Sequence, residues 1–255
     1  MVLRVLHAFA LLLGVAGTFT AGAVTSPPLV LRGATVADGS GGTPLRDATI
    51  VIQGGRNAAI GRSAAVHVPR GARTVARTGK YVIPGLMDGN VHLDFGFAPE
   101  YLFAYEGRYD ELILEAAQVA LKNGVTTVFD SWGPRESLAK VRDSINANRL
   151  VGSRMFIAGN IIGAGGPTSS DFLAPLRTVI NAADADRIDA MWEQGVGPDL
   201  LWMTPEEVRE KVRAYIATGH LDFVKYLSSG HKDMQFIAFS PDAKQRSSRK
   251  HMAPG

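Results

Sequence analysis

The sequence predicts an α/β chain: a small β-rich region, then strands and helices in alternation. Three observations predict this. Between Leu29 and Ala76, short apolar or β-branched runs are separated by glycine-rich turns. After Tyr81 the pattern becomes strand, helix, strand, helix, strand, helix, strand, as in a parallel sheet with crossover helices. The length, 255 residues, suits one barrel-sized domain or two smaller ones.

Composition narrows the choice of function. The chain is 46% hydrophobic and 20% charged, ordinary for a globular protein. Its net charge of +3, from 27 Lys and Arg against 24 Asp and Glu, reads as too small and too evenly scattered for a nucleic-acid partner. Cysteine is absent, which excludes disulfides and thiolate metal sites. Any metal would need His, carboxylate, amide or a modified lysine.

The first residues have another character. Arg4 precedes an apolar run, Val5 to Ala16, interrupted at His7 and Gly14, and Ala21-Gly22-Ala23 follows. A basic start, a short apolar core and an A-x-A end predict a secretory signal peptide over residues 1–23. The core is too short for a comfortable membrane span. The expectation is an exported protein, periplasmic or secreted, with no membrane contact after cleavage.

Residues 24–80 read as part of a small β-sandwich. Its strands are Leu29–Leu31, Ala34–Val36, Ala48–Ile52, Ala58–Gly61 and Arg73–Ala76, with turns at Asp38–Gly42 and Gln53–Arg56. His67 reads as a surface residue. Residues 81–243 hold the alternation. Tyr109–Lys122 has the apolar spacing of a helix, and Asn123-Gly124 stops it. Val125–Asp130 is a strand, Arg135–Asn148 a helix, and Arg154–Asn160 a strand. Thr204 starts a helix with proline early and acids in its first turn, running to Gly219. Phe223–Leu227 is the fourth strand. His220 lies at that helix's end, where a cation is favourable. The long connection 161–203 contains Gly163–Thr168, which lacks the Gly-Lys-Ser or Gly-Lys-Thr of a phosphate loop. It also has a short helix over Arg187–Gln194. Trp132, Trp192 and Trp202 either wall a pocket or pack this excursion down.

The central stretch is Tyr81–Asp94, YVIPGLMDGNVHLD. Residues two apart on a strand share a face, so Asp88, Asn90 and His92 project together. Such a set suits either a metal or a buried strand whose polar end bonds to backbone.

From Val82 to Asp88, and again at His92, this stretch resembles the first barrel strand of the amidohydrolase superfamily, V-I-P-G-L-I-D-x-H-x-H, in an imidazolonepropionase/prolidase-like form. Met87 is an apolar variant, and Asn90 stands where the pattern has its first histidine. The resemblance implies the first four strands of a (β/α)8 TIM-like barrel, preceded by part of a β-sandwich that far C-terminal strands would complete. It implies a metal-dependent hydrolase of C–N bonds in amides, cyclic amides or dipeptides. The implied cofactor is a divalent metal, zinc first, the alternative being that this chain by itself binds none. Asn90, His92 and Lys225 are the implied metal residues, Lys225 as the bridging, carbamylated lysine or else as an ammonium paired with Asp88 or Asp130. Asp130, Asn160 and His231 fall near strand ends, where such barrels place substrate.

The last residues, 244–255, read KQRSSRKHMAPG, basic and without apolar periodicity. Another reading frame can spell an amphipathic helix, so the tail is expected to be aberrant, from a frameshift near Lys244. The leading expectation is therefore a truncated hydrolase, inactive alone and self-associating through open sheet edges. The rival is a non-catalytic remnant or binding module built on a half barrel.

Overall fold

The computed structural model describes residues 26–94 and 100–226. The expected signal peptide, His231 and the basic tail lie outside the described residues. The chain divides into two units, one ending at Pro84 and one starting at Gly85.

The first unit is a five-stranded sheet. Strands β1 (Leu29–Val36), β2 (Leu45–Gln53), β3 (Arg56–Arg62) and β4 (Arg73–Ala76) run in the order β3-β2-β1-β4, and β5 (Tyr81–Val82) also pairs with β1. The β2–β3 hairpin turns on Gly54-Gly55, both at positive φ (56° and 73°), the backbone that a two-residue hairpin turn requires. The two runs expected as separate strands, Leu29–Leu31 and Ala34–Val36, form one strand. Its register slips between Arg32 and Ala34, so a bulge joins them where a turn was expected. Tyr81 and Val82, read from sequence as opening the second region, pair with Thr35 and Val36 of β1. His67 is exposed.

The second unit is a mixed α/β body. Strands β6 (Leu86–Val91), β7 (Val125–Asp130) and β8 (Arg154–Ile157) form a parallel sheet in that order. Helices α2 (Tyr109–Lys122) and α3 (Arg135–Asn146) are the crossovers. Tyr109, Ile113 and Ala117, spaced four apart on α2, are buried with Leu138 and Val141 of α3, Val128 of β7 and Met155 of β8. A further cluster gathers Val208, Val212 and Tyr215 of α5 (Pro205–Gly219) onto Ile162, Val196 and Leu200. Thr204 and Glu207 form a capping box at the start of α5, and His220 ends it in the left-handed region (φ 46°).

Several expectations need correction. Helix α1 (Glu100–Ala104) was not foreseen, and α4 (Ala182–Glu193) starts five residues earlier than expected, capped by Asn181. Strand β8 stops at Ile157, not Asn160, because Gly159 turns to φ 69° and breaks the extended run. The fourth strand is reduced to one parallel bridge, Ile162 with Tyr226. Asp222 explains why. Its N–H donates to the Ile157 carbonyl (3.0 Å), while the Ile157 N–H donates to its side-chain Oδ2 (2.9 Å). A carboxylate thus stands in for a ladder carbonyl, and strand pairing resumes only at Ile162.

Charge is not evenly scattered either. Residues 26–84 hold eight Lys and Arg against two Asp, whereas the described part of the second unit holds thirteen against twenty Asp and Glu. Among the described residues no helix is long and apolar enough to cross a membrane.

Candidate functional site

Parallel pairing brings the ends of β6 and β7 together. Val91 lies opposite Asp130, and the Ser131 N–H donates to the Val91 carbonyl (3.0 Å). The next side chains along each strand therefore meet. The Asn90 Oδ1 accepts from the Ser131 Oγ (2.5 Å) and from the Lys225 Nζ (2.9 Å), and Lys225 also donates to Ser131 (3.0 Å). Lys225 arrives from the segment after Asp222, fixed where its carbonyl accepts from the Ile162 N–H (2.8 Å). Burial depresses the Lys225 ammonium below the ordinary lysine value, and the Asp130 carboxylate pulls it back up.

His92 follows on the same strand. Its ring meets Trp132 edge-on, 5.6 Å between centroids, and its buried Nδ1 has no hydrogen-bond partner among the described residues. Burial first and the Lys225 charge second hold its imidazole below the ordinary histidine range, with the Trp132 backbone working against them. Behind it, Trp132 stacks on Phe172 (3.8 Å) and lies near Trp192, which meets Tyr109 (5.0 Å).

Two buried carboxylates complete the site. Asp130 accepts from the Leu93 N–H (2.7 Å) and the Trp132 N–H (3.2 Å). Burial pushes it up, while those two N–H groups and Lys225 restrain the rise. Asp94 is 1% exposed, and neither oxygen has a hydrogen-bond partner among the described residues. Burial and the neighbouring Asp130 push it well above the carboxylate range. The Trp192 indole opposes that shift without reaching hydrogen-bond geometry. Two like charges in so dry a place are costly together, so both carboxyls are pushed above the ordinary carboxylate range.

The expected residues separate in this geometry. Asn90, His92, Asp130 and Lys225 converge. Asp88 is exposed and accepts from the Asn90 N–H (3.1 Å). Asn160 is fully buried, with its Oδ1 taken by the Trp132 indole (2.8 Å) and its Nδ2 by the Ala164 carbonyl (2.8 Å). Both ends of that amide brace the protein interior. Gly159 makes room beside it, since a Cβ there would lie 2.1 Å from the Tyr215 hydroxyl that accepts from the Asn160 N–H. Sequence reasoning passed over Asp94 and Ser131. Asp94 continues the two-residue spacing of Asp88, Asn90 and His92, which was the available signal.

The glycine-rich loop is closed to anions. The Gly165, Gly166 and Thr168 N–H groups donate to Asp171, Glu193 and Asp189, the chain's own carboxylates. Trp132 and Trp192 are buried packing residues, whereas Trp202 is 77% exposed.

A divalent ion does not fit the described residues. No three His, Asp or Glu side chains gather among them. The Asn90 oxygen already receives an ammonium and a hydroxyl, so the cation at this place is Lys225 itself.

The likeness to known proteins is strong over part of their length. The chain is 39% identical to phenylurea hydrolase B, with TM-score 0.81, covering 87% of this chain and 52% of that one. It is 41% identical to molinate hydrolase, with TM-score 0.74, covering 79% and 45%. Adenine deaminase 3 of Rhizobium meliloti (strain 1021) is 30% identical over 101 residues, 40% of this chain and 15% of that protein. The chain thus spans about half the length of these two hydrolases. No family model matches it. By its strand motif and these likenesses, the chain matches the N-terminal part of enzymes of the amidohydrolase superfamily.

Proposed function

We propose that this chain is part of a hydrolase cleaving a C–N bond in a small amide, urea or dipeptide-like molecule. What supports the reading most is the convergence of Asn90, His92, Asp130 and Lys225 beyond two parallel strands, in a chain 39–41% identical to two hydrolases. The three parallel strands are then the first strands of a barrel, whose active face lies at the strands' C-terminal ends. The family is generally metal-dependent. The described residues do not fit a metal. Activity accordingly requires groups that residues 26–226 do not supply, and on this reading those residues by themselves are inactive.

Co-expression with the C-terminal half of phenylurea hydrolase B tests this. Phenylurea turnover by the pair, with none by either half, is the expected result. Turnover by this chain alone would refute its inactivity. An assembled but inert pair would refute the hydrolase reading.

A second reading, a binding module without catalysis, is favoured by one observation: Lys225 occupies the Asn90 oxygen. Calorimetric binding of a phenylurea that the assembled pair never cleaves would select it.

Two further parts of the proposal concern handling of the chain. Export with cleavage after Ala23 predicts a mature protein beginning at Val24, which N-terminal sequencing reads. Self-association through the edge strand β6, where Leu86 is 53% and Met87 72% exposed, predicts concentration-dependent elution in size-exclusion chromatography.

A further inference from the structure

Among the described residues, the side chain of Asn90 is held at one end only. Its Oδ1 accepts from the Lys225 Nζ (2.9 Å) and the Ser131 Oγ (2.5 Å), while its Nδ2 donates to no described residue. Lys225 decides this orientation. An ammonium has only protons to offer, so the amide atom that faces it must be the oxygen. Turned over, the amide would set its own N–H groups against those of Lys225.

Both partners are themselves fixed. The Ser131 N–H donates to the Val91 carbonyl (3.0 Å), and the Lys225 carbonyl accepts from the Ile162 N–H (2.8 Å). Lys225 also donates to the Ser131 Oγ (3.0 Å). Its ammonium thus spends two N–H groups on Asn90 and Ser131 and keeps a third. Donors left over on neighbouring groups call for an acceptor oxygen. The surroundings say what charge that oxygen should carry. The buried Asp130 already answers part of the Lys225 charge. A carboxylate ligand would bring a second anion here, whereas a carbonyl oxygen brings lone pairs and no charge.

We propose that Asn90 recognises a substrate carbonyl. Its Nδ2 and the third N–H of Lys225 donate to the carbonyl oxygen of an amide or urea, and Ser131 is the positioning residue that keeps the amide turned that way. This rests on the hydrolase reading above and supplies it with a binding contact. Donors arranged beforehand favour a carbonyl oxygen most as negative charge builds on it.

Calorimetric titration of the full chain with phenylurea and with phenylthiourea tests the assignment, because sulfur is a poor acceptor. Phenylurea is expected to bind about tenfold more tightly, with or without a metal chelator present. Asn90→Asp keeps oxygen for Lys225 and Ser131 but removes the N–H donors, so the two ligands should then bind within about twofold of each other. Ser131→Ala should cut the preference by about threefold, and Ser131→Thr, which keeps the hydroxyl, should retain it. A merely structural role for Ser131 would weaken both ligands alike and leave their ratio unmoved. A preference for phenylurea that survives Asn90→Asp overturns the proposal, as does the absence of phenylurea binding. Tighter binding of benzoate than of phenylurea would make the place an anion site and overturn it. Loss of phenylurea binding to the chelator would give the oxygen to a metal, with the same result. The co-expressed pair separates this proposal from the reading beneath it. Phenylurea turnover by the pair, with the preference intact in Asn90→Asp, removes only the role of Asn90. An inert pair that keeps the preference, and loses it in Asn90→Asp, removes the hydrolase reading and leaves this contact.

Discussion

The sheet unit and the helix-bearing unit solve burial in different ways. In the sheet unit the fully buried apolar side chains are few: Val30, Ala34 and Ala48, with Ile50 and Val51 nearly so. The charge there is positive. In the second unit, α2 and α3 cover the parallel strands, two tryptophans fill the interior, and acids outnumber bases. The second unit therefore has enough apolar surface to hold charged groups out of water. The first does not, and among its described residues all eight Lys and Arg are exposed. Ionisable chemistry is found where packing can support it.

Matched core truncations should give the largest effect. Leu138→Ala should destabilise the second unit by about 2–5 kcal/mol. Val30→Ala should cost the first about 2 kcal/mol. Urea denaturation followed by circular dichroism should resolve two transitions, each variant moving one. A single transition moved by both would abolish the distinction between the units.

One carboxyl from each unit should also respond oppositely to pH. Asp94 has a folded pKa above its unfolded value, so the folded state binds the extra proton. Its stability is greatest in acid and falls as pH rises from about 4, by up to about 1.4 kcal/mol per pH unit until the folded pKa is passed. Asp94→Asn should reduce that fall, the part due to Asp130 remaining. Asp38 is shifted down by its bonds to Ser40, so its stabilisation is present above the ordinary carboxylate pKa and is lost as pH falls. Asp38→Ala should therefore flatten the acid limb of the first unit's melting profile. If Asp94→Asn leaves the second unit's pH dependence unaltered, the upward shift assigned to Asp94 is wrong.

Asp222→Ala should come next, at about 2 kcal/mol, because it strips the Ile157 N–H and the Arg142 guanidinium of a partner together. Asp222→Asn keeps an acceptor oxygen and should cost about half as much. Equal losses would mean that charge pairing with Arg142, rather than the substitute ladder bond, holds the segment. The smallest effect should be Thr204→Ala, about 1 kcal/mol through the lost capping box. A calorimetric melt of the second unit would register it.

Local signals made much of the second unit legible. Helix α2 has the predicted bounds because apolar spacing and an Asn-Gly stop agree, and α5 because proline and acids mark its first turn. Strand β4 was equally plain. What escaped depended on distant partners. Tyr81 and Val82 pair with β1, more than forty residues away in sequence, and no local pattern says so. The fourth strand failed because Asp222 reaches back to Ile157. In the site, His92 and Lys225 were read from strand ends. Asn160 was misjudged because its side chain turns inward to Trp132, which only packing decides. Asp94 was missed although its spacing was visible, because neutrality in a carboxyl group is a property of its surroundings.

The placement of tryptophan has a spectroscopic consequence. Trp132, Trp192 and Trp202 all belong to the second unit, and Tyr81 is the sheet unit's one tyrosine. Tryptophan emission is thus blind to the sheet: a fluorescence melt would return the second unit's transition and report nothing of the first. Within that emission, Trp202 at 77% exposure should yield to iodide quenching, while Trp132 and Trp192, at 1% and 0%, should resist it. A quenching curve that bends, rather than a straight one, is the optical signature of this fold.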